Sequence, residues 1–212
     1  MALPRGRHDL SAEDVAADQR RRMLAGMAGA LAEQGYARAT VSDVLERAKV
    51  SRRTFYEQFT DKDECLYAAY DDAERRAWVT VAEAVAATPA ADWPGRVHAA
   101  LGAFLDFVAA EPDTARLFTL EARAAGPEMA ARHAAALDRV GAVLQAGNRR
   151  DDEPDGRAGG AMLDLPETTE RTLVANVAAL VGSYVISGAT ELLPVLEPQL
   201  GEHLLSPYRE AV

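Results

Sequence analysis

Residues 40–70 read TVSDVLERAKVSRRTFYEQFTDKDECLYAAY, and this stretch contains two short helices separated by a tight turn. Thr40, with Asp43 three residues on, has the pattern of a helix N-cap, and Val41, Val44, Leu45 and Ala48 follow at helical spacing. After Lys49 and Val50, Ser51 is a second N-cap candidate, opening a helix that extends to about Gln58. On a helical wheel Phe55 and Phe59 lie on one side, toward a core, while Arg52, Arg53, Tyr56 and Glu57 lie on the other. A major groove admits a single α-helix, whose N-terminal residues reach the base edges. Two arginines in a first turn can present bidentate donors to guanine, and Thr54 and Gln58 flank that face, where they can donate to phosphates. The bare spacing fits an ordinary helical hairpin with solvated arginines equally well, because helix-turn-helix patterns are unspecific on their own.

Upstream, Ser11 and Asp14 form a capping pattern for a first helix, with Met23, Leu24, Met27, Ala30 and Leu31 at helical spacing and Gly35 ending it. MALPRGRHDL precedes it with no apolar periodicity and reads as an arm. Arg5 and Arg7 there can enter a minor groove, as homeodomain arms do; a solvated tail is the alternative. Arg20, Arg21 and Arg22 read as a solvated face, with Gln19 or Arg20 able to touch the DNA backbone. Downstream, Thr60 or Asp61 caps a long helix running toward Thr88.

Residues 40–70 closely resemble the DNA-binding signature of the TetR/AcrR family of transcriptional regulators, and the resemblance extends through the first helix to Gly35 and Tyr36. The run Thr54-Phe55-Tyr56, followed by Phe59 and Lys62, is its specific part. The resemblance implies an all-α chain of about nine helices: an N-terminal three-helix DNA-binding domain over residues 1–64, and a ligand-binding and dimerisation domain over 65–212. It implies that Thr40 caps the second helix and touches a phosphate, and that Ser42 is placed to read a base. Arg52 and Arg53 would occupy the base-reading start of the recognition helix. Thr54, Tyr56 and Gln58 would contact the backbone, with Tyr56 also able to pack on a thymine methyl. Lys62 would clamp a phosphate at the start of the fourth helix. Position 53 departs from the family, where it is often small, so the operator is not readable from relatives.

The rest of the chain resembles the family only in its helical layout. A helix opens near Asp92-Trp93-Pro94 with the stripe Val97, Leu101, Phe104, Leu105 and Val108; Pro112 opens another, stopped by Gly126-Pro127; a third covers about 128–146. Residues 147–167, rich in glycine, proline and charge, read as a loop. Two last helices cover about 167–189 and 194–208. Leu173–Ala189 is apolar nearly all round, with Ala175, Ala178, Ala179 and Gly182 on one side and Leu173, Val177, Leu180 and Tyr184 on another. The Ala and Gly side around Gly182, together with the stripe Leu193, Leu196, Leu200 and Leu204 of the last helix, resembles the family's homodimer interface; a central helix in a monomeric bundle is the alternative. The fourth to eighth helices are expected to enclose a cavity for a small apolar or aromatic effector. Trp78, Phe104, Phe107, Phe118 and Tyr184 are candidate walls, and His98 or Glu121 a candidate polar anchor; each fits plain core or surface as well.

Composition narrows the classes. The 212 residues carry a formal net charge of −10, yet residues 1–62 hold 11 Lys and Arg against 9 Asp and Glu, and the remainder 12 against 24. A mildly basic head on an acidic body is compatible with a DNA partner. The single cysteine, Cys65, forms no internal disulfide and fits a cytoplasmic protein. Neither a signal peptide nor a membrane span is legible. With four histidines and one cysteine, none at metal-ligand spacing, and no phosphate-loop, dinucleotide or serine-elbow motif, neither catalysis nor a metal or cofactor is expected. Regulation is the reading: a repressor released from a palindromic operator by its effector. A structural helical adaptor is the rival that leaves Arg52, Arg53 and Lys62 without a purpose.

Overall fold

A computed structural model describes residues 11–121, 124–150 and 168–209. Arg5 and Arg7, and most of the segment read as a loop, lie outside the described residues. The chain divides into two compact units, Met1–Ala69 and Tyr70–Val212. Among the described residues all regular structure is helical, with nine α-helices.

The first unit is built on α1 (Ala12–Gln34), α2 (Val41–Ala48), α3 (Arg52–Tyr56) and the start of α4 (Lys62–Ala86). Local chemistry fixes each boundary. Ser11 and Asp14 form a reciprocal capping box, and Thr40 and Asp43 form another. Gly35 ends α1 at φ 74°, a left-handed backbone that glycine adopts without penalty. The Asp61 carboxylate accepts from the Glu64 N–H at 2.8 Å, so Asp61 caps α4, while Thr60 donates its own N–H and hydroxyl to Glu64. Met23, Met27, Ala30 and Leu31 of α1 are buried, as are Val44, Ala48, Phe55, Phe59 and Leu66. The Cys65 thiol is buried with them, and burial pushes its pKa up to about 12. α1 and α2 approach closely at Gly26: a Cβ there would lie 3.1 Å from the Val44 carbonyl oxygen and 3.4 Å from the Ala48 nitrogen.

The second unit takes the rest of α4, then α5 (Trp93–Ala110), α6 (Pro112–Arg116), a π-helical turn (Leu117–Glu121), α7 (Pro127–Arg150), α8 (Thr168–Ser187), a 3-10 turn (Thr190–Leu196) and α9 (Glu197–Arg209). The sequence pattern gave no sign of the π turn, which interrupts the helix expected from Pro112 onward. There the Thr119 hydroxyl donates to the Ala115 carbonyl at 2.9 Å, a local bond that competes with the helical ladder. α7 also runs past the expected boundary at 146, to Arg150.

The core of this unit gathers Leu101, Leu105 and Val108 of α5, Val174, Val177, Val181 and Val185 of α8, Leu193, and Leu200, Leu204 and Leu205 of α9. Two expectations are corrected here. Gly182 is buried within its own chain, with Thr119 the nearest neighbour a Cβ would meet, at 3.9 Å, while Ala175 and Ala179 of the same side stay exposed. Leu193, Leu200 and Leu204 also point into this core, so that stripe is internal packing. A wheel identifies apolar sides but not which of them the chain itself covers. The sides left exposed carry Leu180, Ile186, Leu192 and Val195, the last 73% accessible.

Replacing Gly26 by Leu drives a side chain into the α2 backbone, which cannot yield as a flexible side chain would. The expected cost is about 1–3 kcal/mol, read as a fall in the denaturation midpoint of the first unit. An unchanged midpoint would mean that α1 and α2 can separate at no cost.

Candidate nucleic-acid interface

The recognition surface begins at a turn that the sequence made tight. α2 ends with Lys49 at φ 54°, ψ 45°, the only positive φ outside glycine among the described residues, and the Lys49 N–H returns to the Leu45 carbonyl. Arg22, on α1, reaches across to this end: its Nη1 donates to the Ala48 carbonyl at 2.7 Å, satisfying an acceptor the helix leaves open. Asp18 holds the same guanidinium through Nε at 2.9 Å. The expected solvated face is therefore only partly so. Arg21 is 75% exposed, whereas Arg22 is half-buried and Arg20 lies 4.7 Å over the Phe59 ring. Nothing in local spacing couples Arg22 to a carbonyl 26 residues later, which is why the sequence does not reveal it.

α3 then starts from Ser51, whose hydroxyl accepts from the Thr54 N–H at 3.0 Å. Phe55 is fully buried and packs at 5.4 Å between centroids against Phe59, as the wheel required. Tyr56, edge-on to Phe55, is half-exposed. Arg53 is 89% exposed, and its Nε donates to Glu57 Oε1 at 2.8 Å. Arg52 donates from Nη2 to Ser42 Oγ at 2.9 Å, so residues from both helices of the motif meet on one exposed surface. Arg52, Arg53, Ser42 and Tyr56 are thus brought together.

The remaining candidates are placed differently. The Thr40 hydroxyl and N–H donate to the Asp43 carboxylate, which holds that carboxyl below its usual range. This cap is therefore intact above the ordinary carboxylate range and is lost as pH falls through the lowered value. Thr54 shares its hydroxyl with Ser51 at 2.9 Å. The Gln58 amide donates to the Ala16 carbonyl at 3.3 Å, tying the end of α3 to α1. Lys62 donates to the Tyr36 carbonyl at 2.9 Å and sits 4.0 Å from that ring's centroid, which leaves two ammonium protons for another acceptor. Tyr36 in turn donates to Asp63 at 2.8 Å, so the start of α4 is fastened at two adjacent residues.

In the second unit, Phe107 belongs to the core cluster, and Phe104, Phe118 and Tyr184 pack against it. Trp78 is half-buried, its indole donating to Glu74 at 3.4 Å. His98 has partners on both ring nitrogens, Glu197 at 2.7 Å and Glu202 at 3.4 Å, and so ties α5 to α9. Glu121 is buried beside Arg116 at 3.7 Å, across the π turn. Two aromatics are not among the candidate walls: Tyr70, edge-on against Phe118, and Trp93, edge-on to Tyr208. Among the described residues no group of histidine, cysteine and carboxylates is arranged to hold a metal. No described helix is long and apolar enough to cross a membrane.

A capped helix pair with an arginine-bearing face on a three-helix base has the build of a helix-turn-helix domain. Residues 24–69 match the family model described as bacterial regulatory proteins, tetR family. The N-terminal domain of this chain is thus a tetR-family domain. Among solved structures it is similar to the fatty acid degradation regulator FadR from Bacillus halodurans, at 18% identity and a TM-score of 0.74, covering 87% of this chain and 97% of that one. FadR from Bacillus subtilis, solved in complex with stearoyl-CoA, matches at 18% identity and 0.71, covering 88% and 97%. A TetR-like transcriptional regulator from Rhodococcus sp. RHA1 matches at 18% and 0.67, covering 97% and 99%. At such identities the likeness speaks to the fold. No curated protein sequence matches.

Arg22→Met keeps the aliphatic stem but removes the donors to the α2 terminus, and is expected to cost about 1 kcal/mol in denaturant unfolding. Arg21→Met, on the solvated side, is expected to stay within about 0.5 kcal/mol of the parent. Equal effects would dismiss the capping role of Arg22.

Proposed function

We propose that this chain works as a homodimer which occupies two half-sites of a palindromic operator, represses transcription there, and is released by a small apolar or aromatic effector. The observation that carries the DNA-reading part is the exposed group of Arg52, Arg53 and Tyr56 on a helix whose opposite side, at Phe55, is sealed into the core. In this reading Arg53 addresses a base edge, with Arg52 and Ser42 beside it, and Tyr56 packs on a base or the backbone. Thr40, Thr54, Gln58 and Lys62 face phosphates, and Arg5 and Arg7 extend the contact into a minor groove.

Dimerisation is assigned to the uncovered sides of α8 and the segment that follows it. Leu180, Ile186, Leu192 and Val195 are large apolar side chains left in solvent, an arrangement that marks an interaction surface when the residues cluster. A two-fold dimer is needed because recognition helices enter successive major grooves only at a separation of about 34–36 Å. The effector reading rests on Phe104, Phe107, Phe118 and Tyr184, which converge on one apolar cluster, with Trp78 as a further wall and Glu121 or His98 as its polar groups. The Bacillus subtilis neighbour bound to stearoyl-CoA lends support to an effector with a long apolar part. α4 supplies Lys62 to the first unit and Trp78 to the second, and is the element assigned to carry the signal. By linkage, an effector that lowers operator affinity must itself bind less tightly when operator is present.

Duplexes selected from random DNA by the full-length protein provide the test. Arg53→Ala is expected to cost about 1–3 kcal/mol on the selected sequence and to relax preference at one base position. Lys62→Ala should weaken every sequence alike and shallow the salt dependence by about one charge. Equal losses on all sequences from both variants would remove the base-reading role of Arg53. Ile186→Glu combined with Val195→Glu is expected to yield monomers in sedimentation and to lose most affinity for the full palindrome; a stable dimer would place the interface elsewhere.

A further inference from the structure

Glu57 stands on the DNA-facing side of α3, where an acid is out of place. Phosphates repel it, and its position at the C-terminal end of the helix sets it against the helix dipole. Its pairing with Arg53 runs in the less favourable order for a helix, base before acid. Both side chains are exposed, at 89% and 54%, so the pair adds little to folding stability. Stability therefore does not account for the pair, and what the pair does to Arg53 remains.

The bond is made through Arg53 Nε. That leaves both terminal nitrogens, Nη1 and Nη2, as an intact fork of donors, the fork that meets O6 and N7 of guanine. Arg52 contrasts with it directly, since its Nη2 is already committed to Ser42 Oγ. Of two adjacent arginines, one has its fork engaged by the protein and the other has its stem held and its fork free. Fixing that stem reduces the rotamer freedom an arginine otherwise gives up on binding.

We infer that Glu57 is a specificity-determining residue: it aims the Arg53 guanidinium at a guanine, while its charge weakens binding to DNA of any sequence. An aimed fork gains on the correct base pair, while the carboxylate lowers affinity for the phosphate backbone of every sequence. The first effect raises the ratio of specific to non-specific binding, and the second, common to all sequences, lowers absolute affinity without changing that ratio. The inference rests on the reading of Arg53 as a base-contacting residue.

The test uses full-length protein and the duplex it selects from random DNA. Wild type, Glu57→Gln, Glu57→Ala, Arg53→Ala and the double variant Arg53→Ala/Glu57→Ala are titrated against three targets. These are the selected duplex, the same duplex with each guanine in turn replaced by adenine or 7-deazaguanine, and random duplex of equal length. Helical content and melting temperature establish that each variant is folded. Glu57→Ala is expected to bind random duplex more tightly, with a salt slope steeper by about one, and to lose about fivefold or more of the discrimination at one guanine. Glu57→Gln, which keeps an acceptor for Nε without the charge, should retain more of that discrimination while binding random DNA as tightly as Glu57→Ala. In the Arg53→Ala background, removing Glu57 should leave discrimination unchanged. If Arg53→Ala abolishes the guanine preference and Glu57→Ala leaves it intact, the role of Glu57 is overturned while the base-reading role of Arg53 stands. If Arg53→Ala itself leaves the preference intact, the reading beneath it fails.

Discussion

A helix of five residues does not persist by itself in water, because nucleation costs more than so few hydrogen bonds return. α3 is such a helix, and it carries the side chains to which DNA reading is assigned under the proposed function. Its existence is therefore imposed from outside. Ser51 supplies its first acceptor, Phe55 and Phe59 anchor its inner side, and the left-handed Lys49 aims it away from α2. Lys49 in turn sits at a helix end that Arg22 completes from α1, and α1 lies close enough to do so because residue 26 has no side chain. The geometry of the exposed face of α3 is thus set by groups that lie off that face.

Much of this was legible because it is local. Ser11 with Asp14, Thr40 with Asp43, and Ser51 announce helix starts through side chains that act within one turn, and the structure shows each of these caps formed. The inward Phe55 and Phe59 and the outward Arg53 and Tyr56 followed from the period of a helix alone. What was hidden depends on partners distant in the chain. Arg22 reads like Arg20 and Arg21 until α2 is folded beside it, and no local pattern announces the bond from the Gln58 amide to the Ala16 carbonyl.

The second unit shows the complementary limit. A helix that is apolar on several sides says that it has several neighbours without saying which of them belong to its own chain. Gly182 and the leucines at 193, 200 and 204 turned out to face inward, and Ile186, Leu192 and Val195 outward. The π turn at Leu117–Glu121 escaped because its residues have no composition that distinguishes them from an ordinary helix.

Cys65 has a consequence of a practical kind. It is the only thiol in the chain, fully buried at the start of α4, with its proton held up to about pH 12 by the apolar surroundings. A thiolate-seeking reagent finds nothing to attack while the first unit is closed. The rate of alkylation then follows the fraction of molecules in which that unit has opened. The chain therefore contains its own reporter of how often the DNA-binding head loosens, readable by mass spectrometry without any introduced label.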